Sequence, residues 1–398
     1  MIPSIRVAHV AAVDLTHRFL LASQLMALRR EGFDVSAVSG PGPWAGDLEE
    51  RGIRHYAVPS LNRSRNPAAD LRAVVELVRL FRRERFAIVH THMPKGGLLG
   101  RVAARIAGVP IIVHTVHGLY GIDPGSQLRR WFYLTLERGA ARLSDYEFCQ
   151  SREIFDLLTG IGIFHPERSA HLGNGVDLEH FDPTAVPAEE VARLRASLDI
   201  PEGVPVVGMV GRLAWDKGYG EFIAAATEVC RRRPEVAFLA VGPRDDRDAL
   251  PDEAIRTGEA AGVRFLGLRM DMRELYRLMD LFILASYREG FPRSAIEAAA
   301  MGTPLILTDI PGCREVVTPG RNGLLIPPRR VEPLTEAILH LLDDAALRRR
   351  FGEESRRRAE AEFDERRVFA RILDLYATLL RQREIVPSGI GAESTARR

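Results

Sequence analysis

Short apolar runs rich in β-branched residues alternate with stretches of helical apolar spacing along almost the whole chain. Residues 5–10, 35–39 and 88–91 are such runs in the first part, and the alternation restarts at residues 206–211. Strand–helix alternation is typical of a mostly parallel sheet covered by helices on both faces. We therefore predict an α/β protein of two doubly wound domains that face each other across a cleft at the carboxyl ends of their strands.

The chain has 398 residues, a length that suits about two domains. A stretch with NGVD, two X-Pro steps and a polar helix interrupts the alternation, and we interpret it as the connection between the domains. The predicted boundaries are 1–172 for the first domain, 173–205 for the linker, 206–362 for the second domain, 363–382 for a C-terminal helix and 383–398 for a disordered tail.

Composition excludes several classes of protein. A net charge of +2 gives no reason to expect a nucleic-acid partner. Three distant cysteines form neither a disulfide framework nor a CxxC metal motif. No apolar run approaches the roughly 20 residues of a membrane-spanning helix, and the N-terminus has the pattern of a strand rather than a signal peptide. The expectation is a cytoplasmic protein, at most peripheral on the cytoplasmic face of the inner membrane.

Residues 281–306 combine a buried strand, a glycine loop and a helix. The strand is predicted to end near Ser286, and the helix to begin with Ser294 as its N-cap. Free backbone N–H groups around Arg293–Ala295 then form an anion site. Glu289 precedes the helix and Glu297 is expected in its first turn, so that both carboxylates flank an anion held there. The alternative is that the two glutamates merely complement the helix N-terminus and face solvent.

A second motif, VVGMVGRLAWDKGYGEF, spans residues 206–222. A strand runs into Gly211 and Arg212, and Lys217 follows across a tight turn. The chain has only two lysines among 55 basic residues, Lys95 and Lys217, and both lie in glycine-flanked loops. Arginine presents a fork of donors to phosphate oxygens, and lysine supplies a mobile point charge. We therefore expect Arg212 and Lys217 to converge on one diphosphate.

These motifs together resemble the retaining nucleotide-sugar glycosyltransferases of family 4, which have the GT-B fold of two Rossmann-like domains. GRL..DKG, EGFPRSAIEA, NGVD, PGCREVV and NGLLIPP carry the resemblance over nearly the whole chain. It implies that the C-terminal helix crosses back onto the first domain. It also implies that Arg212 and Lys217 hold the diphosphate, Glu297 the ribose and Glu289 the donor sugar. The full predicted donor site is Gly211, Arg212, Lys217, Gly290, Phe291, Pro292, Arg293, Ser294, Ala295 and Glu297, and the predicted catalytic residues are Glu289, His117, Arg212 and Lys217.

The first domain contains four histidines near two strand ends, His90, His92, His114 and His117. No carboxylate or cysteine lies at a fitting spacing, so that we predict no metal and no cofactor. The stretch HTHMPKGGLLGRVAARIAGVPIIVHTVHG is similar to the family branch that builds capsule, exopolysaccharide and O-antigen chains, often on polyprenyl-diphosphate-linked sugars. By this resemblance His117 lies against the donor sugar, and His92, Lys95 and Gly96 lie at the acceptor cleft. For Lys95 the alternative is a solvated loop charge.

Three further segments are candidates for contact with the acceptor or the membrane. The loop after the first strand lacks the glycine pair common in the family, so that Asp14, Thr16 and Arg18 become candidate acceptor contacts. Residues 128–138 join three aromatic residues with arginines, a pattern that suits an anionic bilayer surface, and residues 71–85 have the same ambiguity. The alternative is that the aromatic residues pack on the sheet.

The predicted activity is transfer, with retention, of a hexose or N-acetylhexosamine-type sugar from a nucleotide sugar. UDP is the favoured nucleotide and a lipid-linked saccharide the favoured acceptor, in bacterial surface polysaccharide synthesis. A GT-B nucleotide-sugar epimerase and a non-catalytic nucleotide-sugar binder remain alternatives. A dinucleotide oxidoreductase is a weaker one, because no G-x-G-x-x-G follows the first strand of either half.

Overall fold

The computed structural model describes residues 5–64, 66–119, 127–245 and 248–385, in two compact units. Unit 1 comprises residues 1–173 together with residues from 367 to the C-terminus, and unit 2 comprises residues 174–366. Of the predicted disordered tail, residues 386–398 lie outside the described residues. Among the helices that are described, none has both the length and the apolar character needed to cross a bilayer.

Unit 1 contains a parallel sheet of seven strands in the order β3-β2-β1-β4-β5-β6-β7. The strands are β1 (Arg6–Val10), β2 (Asp34–Ser39), β3 (Arg54–Ala57), β4 (Ile88–His92), β5 (Ile111–Val116), β6 (Tyr146–Cys149) and β7 (Ser169–His171). The helices are α1 (Asp14–Thr16), α2 (Ala22–Arg30), α3 (Ala45–Glu50), α4 (Pro67–Glu84), α5 (Pro94–Ala107), α6 (Gln127–Ala141) and α7 (Arg152–Gly160), and a π-helical turn, His17–Leu21, joins α1 to α2.

Unit 2 contains a parallel sheet of six strands in the order β10-β9-β8-β11-β12-β13. The strands are β8 (Val206–Val210), β9 (Ala237–Val241), β10 (Val263–Gly267), β11 (Leu281–Leu284), β12 (Leu305–Thr308) and β13 (Gly323–Ile326). The helices are α8 (Ala188–Ser197), α9 (Tyr219–Arg232), α10 (Asp252–Ala260), α11 (Met272–Leu278), α12 (Arg293–Ala300), α13 (Cys313–Val316), α14 (Val331–Asp343) and α15 (Ala345–Glu362).

Each sheet carries apolar clusters of buried residues on both faces, as the near-continuous apolar strand sequences require. The prediction of two doubly wound α/β units is confirmed. In both units the strand order reverses beside the first strand, between β1 and β4 and between β8 and β11. Open α/β sheets bind ligands outside the carboxyl ends of the strands at this reversal.

The last described helix, α16 (Glu365–Gln382), lies mostly within unit 1. Val368, Ile372, Tyr376 and Leu379 recur at helical spacing and pack in the core of unit 1. Of residues 173–205, interpreted above as the connection between the domains, all but Gly173 belong to unit 2, where Val176, Phe181 and Val186 join the core. The segment is therefore part of the packed unit 2 rather than a free linker.

A buried cation lies on the other face of the unit 1 sheet from α16. Arg101 is fully buried and donates 3.0 Å hydrogen bonds to Glu147 Oε1, Glu137 Oε1 and the Gly97 carbonyl. One guanidinium thus faces two carboxylates. Burial raises the pKa of the Glu147 carboxyl to about 7, while Arg101 opposes this rise. These bonds tie α6 and β6 to the first turn of α5.

The raised pKa predicts a pH-dependent stability that Glu147→Gln removes. Between the ordinary value of 4.5 and about 7, folded Glu147 holds more protons than the unfolded chain. The free energy of unfolding of the wild type should therefore fall, relative to that of Glu147→Gln, as the pH rises through this window, by about 1–3 kcal/mol. Urea unfolding followed by circular dichroism at several pH values measures the difference. Exposed Glu189→Gln is the control, and a difference that does not change with pH would contradict the prediction.

Candidate active site

The unit 2 site lies at the carboxyl ends of β8 and β11, where the strand order reverses. Gly211 and Arg212 directly follow β8, and Glu289 lies in the loop after β11. The two strands are hydrogen-bonded neighbours, with Phe282 opposite Gly208. Because the carboxyl ends of parallel strands share one edge, residues 72 positions apart in sequence meet here.

An ion pair joins the two loops. Lys217 Nζ donates to Glu289 Oε1 at 2.6 Å, and Ser286 Oγ donates to the same oxygen at 2.7 Å. The side chains of Lys217 and Glu289 are 17% and 12% exposed, so that both reach solvent while being held in place. Ser286 itself is fully buried. Two residues of the predicted site, Lys217 and Glu289, are therefore in direct contact.

One glycine, Gly218, lets this meeting occur. Gly218 has a φ of +78°, and a Cβ on it would lie 2.0 Å from the Ala285 carbonyl oxygen. Only glycine permits both the conformation and this approach. The β8 loop therefore packs directly on the end of β11, and this contact positions Lys217 beside Glu289.

Arg212 forms a second ion pair, with Asp245 in the loop after β9. The Asp245 side chain is 4% exposed, whereas that of Arg212 is 34% exposed. Asp245 was not among the residues predicted from the sequence, although it lies just beyond β9, the strand beside β8, where a site residue could be expected. Tyr219 Oη, at the start of α9, donates a 2.8 Å hydrogen bond to the Gly211 carbonyl and so holds the same loop. Arg212 and Lys217 thus both follow β8, and a different carboxylate holds each.

The helix after Glu289 begins two residues earlier than predicted. Pro292 occupies the N-cap position with no side-chain cap, and α12 begins at Arg293, so that Ser294 as N-cap is wrong. Glu297 lies in the second turn rather than the first, which is also a correction. Its carboxylate accepts hydrogen bonds from Arg293 Nε and Tyr276 Oη, each at 2.9 Å. Proline has no side-chain acceptor, so that the first N–H groups of α12 receive no hydrogen bond from the N-cap side chain.

Backbone contacts hold the loop of Gly290 and Phe291. Gly312 has a φ of +81°, and a Cβ there would lie 2.2 Å from the Gly290 carbonyl oxygen. Asn174 Nδ2 donates to the Phe291 carbonyl at 3.2 Å. Asn174 and Gly312 come from the NGVD and PGCREVV motifs, whose roles the sequence alone did not give. Together with Ala295, which is buried in α12, they complete the surroundings of the predicted donor site.

In unit 1, the predicted acceptor residues of the β1 loop have structural partners. Asp14 is 4% exposed, and its carboxylate accepts from the Leu15 and Trp44 backbone N–H groups at 2.8 and 2.7 Å. Thr16 is buried. Arg18 pairs with Asp47 and lies over two aromatic rings. These side chains fold the loop onto α3, and their placement gives no support to the predicted acceptor contacts.

Lys95 also has partners within unit 1. Its ammonium lies 2.5 Å from Asp70 Oδ1 and donates to the Ser64 carbonyl, and its side chain is 21% exposed. This pairing argues against a freely solvated loop charge, and the acceptor contact of Lys95 stays a prediction. Gly96 packs on the end of β1, because a Cβ there would lie 2.8 Å from Ala11 Cα. Lys95 therefore joins the start of α5 to the start of α4.

Buried histidines occupy the β1–β4 reversal of unit 1. His9, His90 and His92 are fully buried, and one ligand atom from each lies within 4.8 Å of the others. Five of their six ring nitrogens have hydrogen-bond partners. The rings of His9 and His92 bond to each other, and His92 also bonds to His117. His90 bonds to Tyr376 and Thr115. His92 is therefore not available to an acceptor through its ring. Burial lowers the pKa of His90 to about 3, so that its ring is neutral.

The exposed apolar surface of unit 1 includes one face of α6. The exposed fractions are 75% for Leu128, 64% for Trp131 and 51% for Phe132. The alternative that Trp131 and Phe132 pack on the sheet is therefore wrong. On α4, Leu71 is 68% and Val75 is 41% exposed.

The contact of Gly218 with Ala285 gives a stability prediction. Gly218→Ala should lower the free energy of unfolding by roughly 1–2 kcal/mol, because alanine is strained in the left-handed conformation. The clash of its Cβ with the Ala285 carbonyl should lower it further. Gly320→Ala is the matched control, since Gly320 has a φ of +75° with nothing within 4 Å of a Cβ. Melting temperatures of the two variants measure the difference, and equal losses would contradict the close approach of the β8 loop to β11.

Two family models match the chain, the glycosyl transferase 4-like domain over residues 21–175 and glycosyl transferases group 1 over residues 190–358. The chain is 29% identical over 351 residues to the UDP-Gal:alpha-D-GlcNAc-diphosphoundecaprenol alpha-1,3-galactosyltransferase of Escherichia coli, covering 86% of this chain and 89% of that protein. It is 32% identical over 344 residues to the GDP-mannose-dependent alpha-mannosyltransferase of Mycobacterium tuberculosis, covering 83% and 84%.

The fold is also that of solved glycosyltransferase structures. A crystal structure of Anabaena HepE in complex with UDP-glucose matches with a TM-score of 0.78 at 20% identity, covering 94% of this chain and 100% of that one. Both halves of the chain thus match glycosyltransferase models, and the relatives align over most of its length. The chain belongs to the family 4 glycosyltransferases, enzymes of the GT-B fold.

Proposed function

We propose that the protein transfers a hexose or N-acetylhexosamine-type sugar, with retention, from a UDP-sugar to a polyprenyl-diphosphate-linked saccharide. The observation that carries this proposal is the Lys217–Glu289 ion pair at the strand-order reversal of unit 2, beside Gly211. The names of two relatives support its parts. The E. coli galactosyltransferase acts with UDP-Gal on a diphosphoundecaprenol-linked sugar. CapM of Staphylococcus aureus, 25% identical, serves capsular polysaccharide biosynthesis.

In this proposal the donor diphosphate binds between Arg212, Lys217 and the first N–H groups of α12. The carboxylates of Asp245 and Glu289 hold the two cations in place before the donor arrives. Cations that are fixed beforehand stabilise a leaving diphosphate without the cost of reorganising. The chemistry then needs no metal ion to neutralise the developing charge. Glu297 contacts the ribose hydroxyls, and the Gly290–Phe291 backbone lines the sugar pocket.

The proposed reaction breaks the bond between the sugar anomeric carbon and the diphosphate oxygen. The acceptor hydroxyl forms its new bond to that carbon on the same face, and its proton passes to a donor phosphate oxygen. No protein nucleophile is assigned, because attack by the acceptor hydroxyl on the face that the diphosphate leaves retains the anomeric configuration without one. Glu289 orients the sugar while its Oε1 remains paired with Lys217, which couples sugar position to leaving-group charge.

The acceptor is proposed to be reached at the cytoplasmic face of the inner membrane. The exposed apolar residues of α6 would enter the bilayer surface, and its arginines would meet anionic headgroups. Arg130 is exposed, and Arg138 donates to the Ile161 carbonyl at 2.7 Å, so that it also anchors the helix. A peripheral contact of this kind suits a lipid-linked acceptor.

Removal of either member of the ion pair should abolish transfer. We expect Lys217→Ala to lower kcat/KM about 100-fold or more, the usual loss of one preorganised group that stabilises charge, and Glu289→Gln to do the same. Arg193→Ala and Glu190→Gln, which alter an exposed pair on α8 of the same unit, are the matched controls. The assay measures nucleoside diphosphate release and the extended lipid-linked product, with UDP- and GDP-sugars as donors.

The same assay separates the alternatives. Sugar interconversion without net transfer would indicate an epimerase, and binding seen as a raised melting temperature without turnover would indicate a non-catalytic binder. Near-normal transfer by both Lys217→Ala and Glu289→Gln would overturn the site assignment. A product of inverted anomeric configuration would overturn the proposed retention.

Membrane contact through α6 is tested by a double substitution. Trp131→Glu with Phe132→Glu should weaken binding to vesicles that contain phosphatidylglycerol by at least about ten-fold, because each buried aromatic side chain contributes roughly 1.5–3 kcal/mol. The control is Leu268→Glu with Met270→Glu, at residues of unit 2 that are 42% and 59% exposed. It adds the same negative charge outside α6. Equal losses in co-sedimentation for both doubles would contradict a specific role of α6.

A further inference from the structure

Three histidine rings of unit 1 form a continuous hydrogen-bonded chain. His117 Nε2 lies 3.0 Å from His92 Nδ1, and His92 Nε2 lies 2.9 Å from His9 Nδ1. His9 and His92 are fully buried, whereas His117 is partly exposed beyond the end of β5. The chain therefore runs from the edge of the sheet into its interior.

Each ring in the chain carries a single proton. Burial lowers the pKa of His117 to about 4, and that of His9 and His92 well below the usual range. A neutral imidazole has one N–H donor and one bare acceptor nitrogen. Each ring-to-ring hydrogen bond needs one of each, so that only two arrangements exist for the whole chain. Either all protons point outward toward His117, or all point inward toward His9.

The inner end of the chain decides between the two arrangements. His9 Nε2 is buried and has no hydrogen-bond partner among the residues that the structure describes. With all protons pointing inward, this nitrogen would carry a buried N–H without an acceptor, a state that costs about 1–3 kcal/mol and is rare in proteins. With all protons pointing outward, it carries only a bare lone pair. The outward arrangement is therefore favoured.

In His17, too, the buried ring nitrogen without a described partner is the one without a proton. Its Nε2 lies 2.9 Å from the His9 carbonyl oxygen, which can only accept, so that Nε2 carries the proton. His17 Nδ1 is the buried atom without a described partner, and it is thereby bare. Both orphaned ring nitrogens of this cluster are then acceptors rather than donors.

We propose that His9 and His92 are positioning residues that lock His117 in the tautomer with its proton on Nδ1. His9 Nδ1–H donates to His92 Nε2, and His92 Nδ1–H donates to His117 Nε2. His117 thus offers a hydrogen-bond donor to an oxygen acceptor. The Gln150 side chain is hydrogen-bonded to His117 in the free protein. The ligand that accepts this hydrogen bond is a sugar oxygen of the donor, and this part of the inference rests on the proposed function, in which His117 contacts the sugar.

The test is the tautomeric state of His117 in the free protein. Long-range proton–nitrogen correlation spectra of the full chain labelled with ¹⁵N-histidine distinguish protonated from bare ring nitrogens. We expect a protonated Nδ1 and a bare Nε2 for His117, and a protonated Nδ1 for His9. A His117 with its proton on Nε2, an even mixture, or a charged ring would overturn the proposal.

Two variants separate the lock from a general packing role. His92→Phe breaks the chain and should convert His117 to a mixture of tautomers. His90→Phe is the matched control, because His90 is equally buried and its ring lies 4.4 Å from that of His92, yet its nitrogens bond to Tyr376 and Thr115. The control should leave the His117 signals unchanged. An unchanged His117 in His92→Phe, or the same change in both variants, would overturn the proposal.

Donor binding gives a second readout. If half of the His92→Phe molecules lose the competent tautomer, the apparent Kd for the nucleotide sugar rises about two-fold, while His90→Phe binds as the wild type does. If the wild type binds no nucleotide sugar at all, the proposed function is wrong. The tautomer of His117 is then tested by the NMR spectra alone. Zinc-induced shifts of His9, His90 and His92 together would overturn the proposal, because a metal would replace the ring-to-ring hydrogen bonds.

Discussion

The ion pair of Lys217 with Glu289 depends on one backbone contact, that of Gly218 with the Ala285 carbonyl. Without it the β8 loop would stand away from β11, and the ammonium could not reach the carboxylate. Ser286 adds a hydroxyl donor to the same carboxylate oxygen. The position of the site thus follows from close packing of two strand ends, and the charges occupy a geometry that the backbone has already set.

The two units place different chemistry at the same topological position. At the reversal of unit 2, cations are paired with carboxylates and remain partly exposed, so that an anionic ligand can contact them while they stay paired. At the reversal of unit 1, neutral imidazoles are buried and bonded to one another. Burial removes the charge of a histidine but not that of an arginine, whose pKa is far higher. One unit therefore offers fixed charge and the other directed hydrogen bonds.

Much of the unit 2 site was predictable, because its motifs follow strands and the carboxyl ends of neighbouring parallel strands share an edge. Lys217 and Glu289 were both predicted as site residues, and the structure brings their side chains into contact. Asp245 and Tyr276 were missed, since nothing local in the sequence links either to its partner. Ser294 was assigned as an N-cap from residue type alone, whereas Pro292 occupies that position and α12 has no side-chain cap there. In unit 1, Asp14 and Arg18 bind neighbouring loop groups instead of facing a ligand.

The sequence by itself determined the two parallel sheets and the residues at their functional edges, because strand–helix periodicity and glycine positions are local properties. Only the tertiary structure decided which carboxylate holds which cation, which histidines are neutral and how their protons are directed. These depend on burial and on distances between residues far apart in the chain. Electrostatic and hydrogen-bond energies change steeply with both, and neither can be read from residue order.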